Sequence, residues 1–326
     1  MEQKSKSPII FGPGNRNTGI NEASFENATG KVKYTLTNDI LFHIVLQDDD
    51  YALKGLIASL LHMEPSDIKK TKVLNPILPG DPPDAKLCIL DIYVLFNDNS
   101  YINLEMQVED QKNWVSRSLT YLSREFDQLK HGDDYTLVKP VYHVGFLNFT
   151  LFEDHPEFHA TYRLQNVRDG YTYTDKFSLH VLVLNHINLA TDEDRYYKTD
   201  KWAALFKATS WEEIKMLAQE NDYIMSAAKS MYSSVTDPRI LKLCTRRQEE
   251  IDGDNHRRER LAEQEKQITE QEKQITEQKT QIAKQSSQIA EQSSQIAEQS
   301  SQIAALTADN LALKQEIAEI KAMLSK

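Results

Sequence analysis

The C-terminal part of the chain repeats a seven-residue pattern of apolar and polar positions. From Leu261 to Leu324 a single register runs without interruption, with glutamine at the fourth position up to Gln299 and an apolar residue there from Leu306 onward. An apolar repeat of seven residues is typical of a left-handed coiled coil. The first positions of the repeat are Leu261, Ile268, Ile275, Ile282, Ile289, Ile296, Ile303, Asn310, Ile317 and Leu324.

This pattern predicts that residues 257–326 form a coiled coil that self-associates through residues 261–324. Glutamine at the fourth position makes a weak, hydrated core, so the last three repeats, apolar at both positions apart from Asn310, should hold the assembly together. Asn310 at a first position favours a parallel homodimer, in which two amides bond across the axis, and a trimer stays open. The alternative is a solvated single helix or a disordered Gln/Ser tract.

The part of the chain before the repeat carries the aromatic residues and the large aliphatic residues of a packed domain. Residues 1–30 are rich in Asn, Gly, Ser and Lys without periodicity, which predicts a flexible N-terminal arm. Helical spacing begins after Thr37 or Asn38, either of which suits a helix N-cap. We therefore predict a domain over residues 31–256.

The order of the elements in this domain predicts an α/β (α+β) fold, with a mixed sheet flanked by helices. Two strand-like runs meet at a turn and form a hairpin, and a helix then leads into a nearly continuous apolar strand. A strand, a helix and a strand in this order indicate a crossover connection. The predicted ranges are 87–96 and 101–108 for the hairpin, 114–130 for the helix, 141–152 for the buried strand, 160–167 and 177–184 for a second hairpin, and helices from 202, 211, 223 and 238 that close the domain near residue 251.

Composition limits the partners that the chain can have. The formal net charge is -11, so any contact with nucleic acid must come from a local basic surface. Cys88 and Cys244 lack the spacing of a zinc motif, and His131, His143 and His180 show no ligand spacing either. No stretch approaches the roughly 18 apolar residues that a membrane span needs. We expect a soluble cytoplasmic protein without a membrane contact.

The first hairpin carries the candidate chemistry. If its loop consists of residues 97–99, Phe96 lies opposite Ser100 and Asp91 lies opposite Glu105. Opposed side chains of an antiparallel pair are about 4.5 to 5.5 Å apart at Cβ, and two carboxylates there are destabilising unless a charge compensates them. A divalent cation would compensate them. Gln107 falls on the same face as Glu105, because side chains alternate along a strand.

These residues resemble the signature of the PD-(D/E)XK nuclease superfamily, an acid on one strand followed by (D/E)-x-K on the next. Gln107 stands where the superfamily usually has lysine, and the Rpn family of recombination-promoting nucleases and putative transposases accepts this glutamine. The resemblance to the Rpn family spans residues 31–251. It is carried by Asp39-Ile-Leu-Phe42, Leu90-Asp91-Ile92, Asn103-Leu-Glu-Met-Gln107, Arg117, Tyr121, Gln128-Leu129, Gly132, Tyr135, Leu137, Pro140 and Leu151-Phe152.

The resemblance implies a restriction-endonuclease-like core and Mg²⁺-dependent hydrolysis of DNA phosphodiester bonds, linked to recombination or mobile elements. Asp91 and Glu105 would hold the metal, with the backbone carbonyl of Met106 as a further ligand. Gln107 would position water or phosphate in catalysis. The other implied site residues are Asp39 as an outer or third acidic metal ligand, and Arg117 with Tyr121 as phosphate-binding residues on one helix face.

A second class of function stays open beside the endonuclease. The nuclease fold could serve as a catalytically inactive scaffold or as a DNA-binding oligomerisation protein. The two acids Asp91 and Glu105 favour the enzyme, whereas Gln107 and the acidic net charge favour the scaffold.

Overall fold

The computed structural model describes residues 22–75, 77–78, 88–89 and 91–324. The chain forms two compact units, Met1–Glu250 and Ile251–Lys326. The helices are α1 (Glu22–Glu26), α2 (Asp39–Asp48), α3 (Asp50–Leu60), α4 (Trp114–Phe126), α5 (Asp192–Tyr196), α6 (Thr199–Lys207), α7 (Trp211–Ala218), α8 (Asp222–Thr236) and α9 (Pro238–Leu324). The strands are β1 (Thr71–Val73), β2 (Ile77–Leu78), β3 (Cys88–Ile89), β4 (Ile92–Phe96), β5 (Ser100–Gln107), β6 (Val141–Leu147), β7 (His159–Arg163) and β8 (Phe177–Val183).

The larger sheet has six strands in the order β1-β4-β5-β6-β8-β7. The three central strands β5, β6 and β8 are parallel to one another. At one edge β4 is antiparallel to β5 and β1 is antiparallel to β4, and at the other edge β7 is antiparallel to β8. α4 connects the parallel strands β5 and β6, as the order of the elements predicted. The predicted mixed sheet with flanking helices is confirmed.

The β4–β5 hairpin has the register that the sequence predicts. Phe96 lies opposite Ser100, and the pairing continues to Ile92 opposite Leu104. The three-residue loop begins with Asn97 at φ 53° and Asp98 at φ 58°. Residues of these two types tolerate this left-handed conformation better than most side chains do, so the turn chemistry fixes the register.

The two faces of the sheet are covered by different helices. One face carries buried aliphatic side chains such as Ile92, Leu104 and Met106, which join the main core with α2, α3 and α6 to α8. The other face packs against α4, where Trp114 contacts a cluster that includes Leu147 and Val181. Because side chains alternate along a strand, each central strand contributes to both layers.

The predicted start of the first long helix is confirmed, whereas several other element boundaries differ from the prediction. Asn38 is the N-cap of α2, where its side chain accepts from the backbone N–H of Leu41 at 3.3 Å. α4 ends at Phe126 and β6 ends at Leu147, four and five residues before the predicted ends. Within the predicted flexible arm, Phe25 is fully buried and meets Trp211 edge-on at 6.3 Å, so packed structure begins before residue 31. Residues 1–21, 79–87 and 90 and the side chain of Cys88 lie outside the described residues.

Helix α9 begins in the first unit and ends in the second. In the first unit Ile240 and Cys244 are buried. In the second unit the isoleucines of the seven-residue repeat are 50% to 64% exposed in the single chain. Among the described residues, no helix combines the length and the apolar character that crossing a membrane requires.

Candidate active site

The candidate site lies on the α4 side of β5, the central strand of the β4-β5-β6 group. Alternation along β5 places Asn103, Glu105 and Gln107 on this side and buries Leu104 and Met106 on the other. Glu105 is only 1% exposed. A hairpin surface facing solvent is therefore excluded for this glutamate.

The carboxylate of Glu105 has one paired oxygen and one unpaired oxygen. Arg117 donates from Nη2 to Oε1, while Oε2 is buried and has no hydrogen-bond partner among the described residues. Burial raises the pKa of Glu105, and the charge of Asp91 raises it further, against the opposing effects of Arg117 and His143. The positive charge near Glu105 is therefore too small to offset burial and the charge of Asp91, and the ionised form of Glu105 is disfavoured.

Asp91 lies immediately before β4 and is half-buried. Its Oδ2 accepts from the backbone N–H of Met106 at 2.8 Å. Met106 follows Glu105 on β5, so this bond holds the aspartate at the position where the hairpin register places it, beside Glu105. This proximity of two negative charges is the reason that Asp91 raises the pKa of Glu105.

Gln107 ends β5 and is partly exposed. Its Nε2 donates to the carbonyl of Glu109 at 2.8 Å, which ties the amide to the loop after the strand. The side chain is therefore oriented by the protein and still reaches the surface.

Arg117 and Tyr121 lie one turn apart on α4, as their spacing predicts. The guanidinium carbon of Arg117 is 4.6 Å from the centroid of the Tyr121 ring. Burial works against the charge of Arg117, but the combined effects of Glu105, Tyr121 and Asp91 raise the pKa of the guanidinium. The arginine side chain is 25% exposed and Tyr121 only 7%, so the tyrosine supports the arginine from beneath.

Asp39 takes part in a different ion pair. It begins α2, and its two carboxylate oxygens accept from Arg247 Nε at 3.0 and 2.7 Å. This contact joins α2 to the first turns of α9. The expected part of Asp39 in metal binding stays a prediction.

A buried polar chain beside Glu105 was not predicted from the sequence. His143 Nδ1 lies 2.9 Å from Glu125 Oε1 and 3.1 Å from Asn103 Nδ2. All three residues are at most 1% exposed, and burial raises the pKa of Glu125 although His143 opposes this. Asn103 precedes Glu105 by two residues and Glu125 follows Arg117 by eight, so spacing could have placed both. The position of His143 depends on the register between β5 and β6.

Gly145 on β6 lies opposite Glu105 in the parallel register. A Cβ atom at Gly145 would lie 2.0 Å from Trp114 Cζ2, far inside van der Waals contact. The missing side chain lets the first turn of α4 lie directly on the sheet. Arg117 follows Trp114 by three residues on the same helix.

The fold and the site together define the class of protein. A mixed sheet with flanking helices is consistent with the α/β fold of a PD-(D/E)XK nuclease core, and its hairpin brings a buried glutamate near an aspartate. The family model described as PD-(D/E)XK nuclease family transposase matches residues 36–264, and the chain belongs to this family. No match was found among curated proteins or among solved structures.

Proposed function

We propose that the protein is a Mg²⁺-dependent DNA endonuclease whose metal is held by Asp91 and Glu105. The observation that carries the proposal is the buried, unpaired Oε2 of Glu105 beside a second carboxylate. Oxygen donors of this kind suit a hard divalent cation, and the backbone carbonyl of Met106 is a further candidate ligand. When bound, such an ion lowers the pKa of water and offsets the charge that develops on the phosphate.

The remaining site residues have separate roles in this proposal. Gln107, held by its bond to the Glu109 carbonyl, orients water or a phosphate oxygen. Arg117 contacts the phosphate with its exposed part, because a planar guanidinium matches phosphate oxygens. Tyr121, which is 7% exposed and lies against the Arg117 guanidinium, supports the arginine at the phosphate.

One observation favours the inactive scaffold as the second candidate. Arg117 already compensates part of the charge of Glu105, so the site has a positive partner without an ion. A scaffold would need nothing more, whereas an enzyme needs the ion for its chemistry.

The decisive experiment is plasmid nicking by the full chain in Mg²⁺ and in EDTA. Asp91→Asn and Asp98→Asn are matched variants, because both aspartates belong to the same hairpin but Asp98 lies at its exposed turn. We expect Asp98→Asn to cut like the wild type. Asp91→Asn and Glu105→Gln should lose more than the ~10- to 100-fold that outer-shell changes cost at metal sites.

Two results would contradict the nuclease proposal. Cleavage that continues in EDTA would show that the reaction needs no metal. Cleavage that survives both acid variants would show that Asp91 and Glu105 are not the catalytic site. A wild type that binds DNA and never cuts it supports the scaffold.

We further propose that residues 261–324 associate with the same segment of another copy as a coiled coil, giving a parallel homodimer or a trimer. The support is the continuous stripe of isoleucines that are at least half exposed in the single chain. A dimer would bring two catalytic domains to one DNA, which suits cutting both strands, and the transposase description of the family favours a role in DNA mobility. Sedimentation of the full chain and of a truncation before Arg260 tests this: the truncated protein should be monomeric, and an unchanged oligomer would locate the association in the first unit.

A further inference from the structure

Three side chains from distant parts of the first unit meet away from β5. His62 follows α3, His159 begins β7 and Asp194 lies in α5. One ligand atom of each lies within 4.8 Å of those of the other two. His62 Nε2 is 3.3 Å and His159 Nδ1 is 3.2 Å from the same oxygen, Asp194 Oδ1.

These separations fit metal coordination. Zinc bonds of about 2.0 to 2.1 Å in a tetrahedron place neighbouring ligand atoms about 3.3 Å apart. Hydrogen bonds from nitrogen to oxygen span about 2.7 to 3.2 Å, and the contact of His159 Nδ1 with Asp194 Oδ1 also meets hydrogen-bond geometry. His62 Nε2 is buried and, among the described residues, has no partner that meets hydrogen-bond geometry, although Asp194 lies at this distance.

The cluster is buried and leaves polar atoms without partners. The side chains of His159 and Asp194 are 2% and 3% exposed. Within the described part of the chain, His159 Nε2 is also buried without a hydrogen-bond partner, but it is not the ring nitrogen that lies 3.2 Å from Asp194. Buried polar atoms without partners are rare, and an ion or a water molecule is the usual explanation.

Hydrogen bonds hold Asp194 in place, and a carboxylate lies near the outer nitrogen of His62. Asp194 Oδ2 accepts from Thr191 Oγ1 at 2.7 Å and from its backbone N–H at 2.8 Å, while Oδ1 lies toward the histidines. Glu193 Oε1 lies 3.5 Å from His62 Nδ1, the ring nitrogen not used toward Asp194. A carboxylate on the outer nitrogen of a histidine is the common second shell of a zinc ligand.

We propose that His62, His159 and Asp194 bind a Zn²⁺-like divalent cation. Two imidazoles and one carboxylate select zinc or a related first-row ion over Mg²⁺, which prefers oxygen ligands. The His62 side chain is 23% exposed, so water can reach the cluster and complete the coordination. The ion would join α3, β7 and α5, and its binding energy would add to the stability of the first unit. This proposal is independent of the nuclease chemistry at Asp91 and Glu105.

A neighbouring histidine is excluded as a ligand by its hydrogen bonds. The ring of His180 lies 5.7 Å from that of His159, but its two nitrogens lie at 3.2 and 3.1 Å from the hydroxyls of Thr161 and Ser178. Both ring nitrogens of His180 are thus occupied by hydroxyl groups.

The test is metal binding by the full chain, purified with a chelator that is then removed. Zn²⁺ is titrated against a chromophoric chelator, and Co²⁺ is followed by its visible absorbance, which reports coordination geometry. We expect one site per chain that excess Mg²⁺ does not displace and that Asp91→Asn retains. His62→Gln and His159→Gln should abolish it, while the control His155→Gln, at a histidine that is 73% exposed, should keep it.

Glu193→Gln supplies a test that does not disturb the core, since Glu193 is 67% exposed. Loss of the outer carboxylate should weaken zinc binding by about 10- to 100-fold. Circular dichroism without metal checks that each variant is folded. If the histidine variants are not folded, the zinc affinity of Glu193→Gln is the deciding measurement. The proposal is overturned if the wild type binds no zinc, or binds zinc only at a site that Asp91→Asn removes. It is also overturned if folded histidine variants bind zinc as the wild type does, or if Glu193→Gln binds zinc with unchanged affinity.

Discussion

Gly145→Ala should disable the candidate site without altering any residue that carries its chemistry. The new Cβ would lie 2.0 Å from Trp114 Cζ2 and 2.4 Å from Cη2. Carbon atoms pack at about 3.5 to 4.0 Å, so the indole must retreat by roughly 1.5 to 2 Å. Trp114 is 3% exposed in the first turn of α4, so little free space is available for that movement.

Two magnitudes follow for Gly145→Ala. Overpacking a close-packed site costs about 1 to 3 kcal/mol, which lowers the melting temperature of a domain of this size by roughly 2 to 12 °C. Arg117 lies one turn after Trp114 and would move with α4, and misplacement by about 1 Å can cost a hundredfold in rate. Thermal unfolding by circular dichroism measures the first quantity, and plasmid nicking below the melting temperature measures the second.

The double variant Gly145→Ala/Trp114→Phe is the matched control. Phenylalanine lacks the outer indole atoms that meet the new Cβ, so the double variant should be more stable than the sum of the two single changes predicts. The close approach does not position α4 if the free energy of unfolding of Gly145→Ala lies within about 0.5 kcal/mol of the wild-type value. The same conclusion follows if the effects of the two changes on that free energy are additive.

Two further predictions concern β5 itself. Because burial and Asp91 raise the pKa of Glu105 while Arg117 and His143 oppose them, its contribution to stability is present below its ordinary pKa of 4.5 and is lost as the pH rises through the raised value. In EDTA, urea unfolding should therefore show the wild type losing free energy of unfolding relative to Glu105→Gln above pH 4.5; parallel pH profiles would refute the raised pKa. Gln107→Lys restores the commoner signature and should keep or increase nicking activity, whereas complete loss would show that the amide itself is required.

The hairpin was predictable because its determinants are local. Alternating side chains fix which residues share a face, and Asn97 with Asp98 supplies the left-handed turn that sets the register. The N-cap at Asn38 is local in the same way. These rules also placed Asp91 beside Glu105, so the centre of the site could be read from about fifteen consecutive residues.

The partners of these residues depend on packing between distant segments. Arg117 was expected to bind phosphate, and its pairing with Glu105 arises only when α4 crosses β5. His143 reaches the site through the parallel register of β6. The meeting of His62 with Asp194 joins segments more than one hundred residues apart, and no spacing rule along the chain reports such a contact.

Glu105 lies on β5, a strand with a neighbouring strand on each side, and this position affects how the site is lost when the domain unfolds. Backbone amides of β5 are bonded into ladders toward β4 and toward β6, so they should exchange with solvent deuterium only when the whole sheet opens. Pairing with β4 ends at Leu104 and pairing with β6 continues past Glu105, so slow-exchanging amides would then lie beside the carboxylate. Partial opening at β1 or β7, the edges of the sheet, would leave the acidic centre intact, so heat should abolish cleavage and melt the domain at the same temperature.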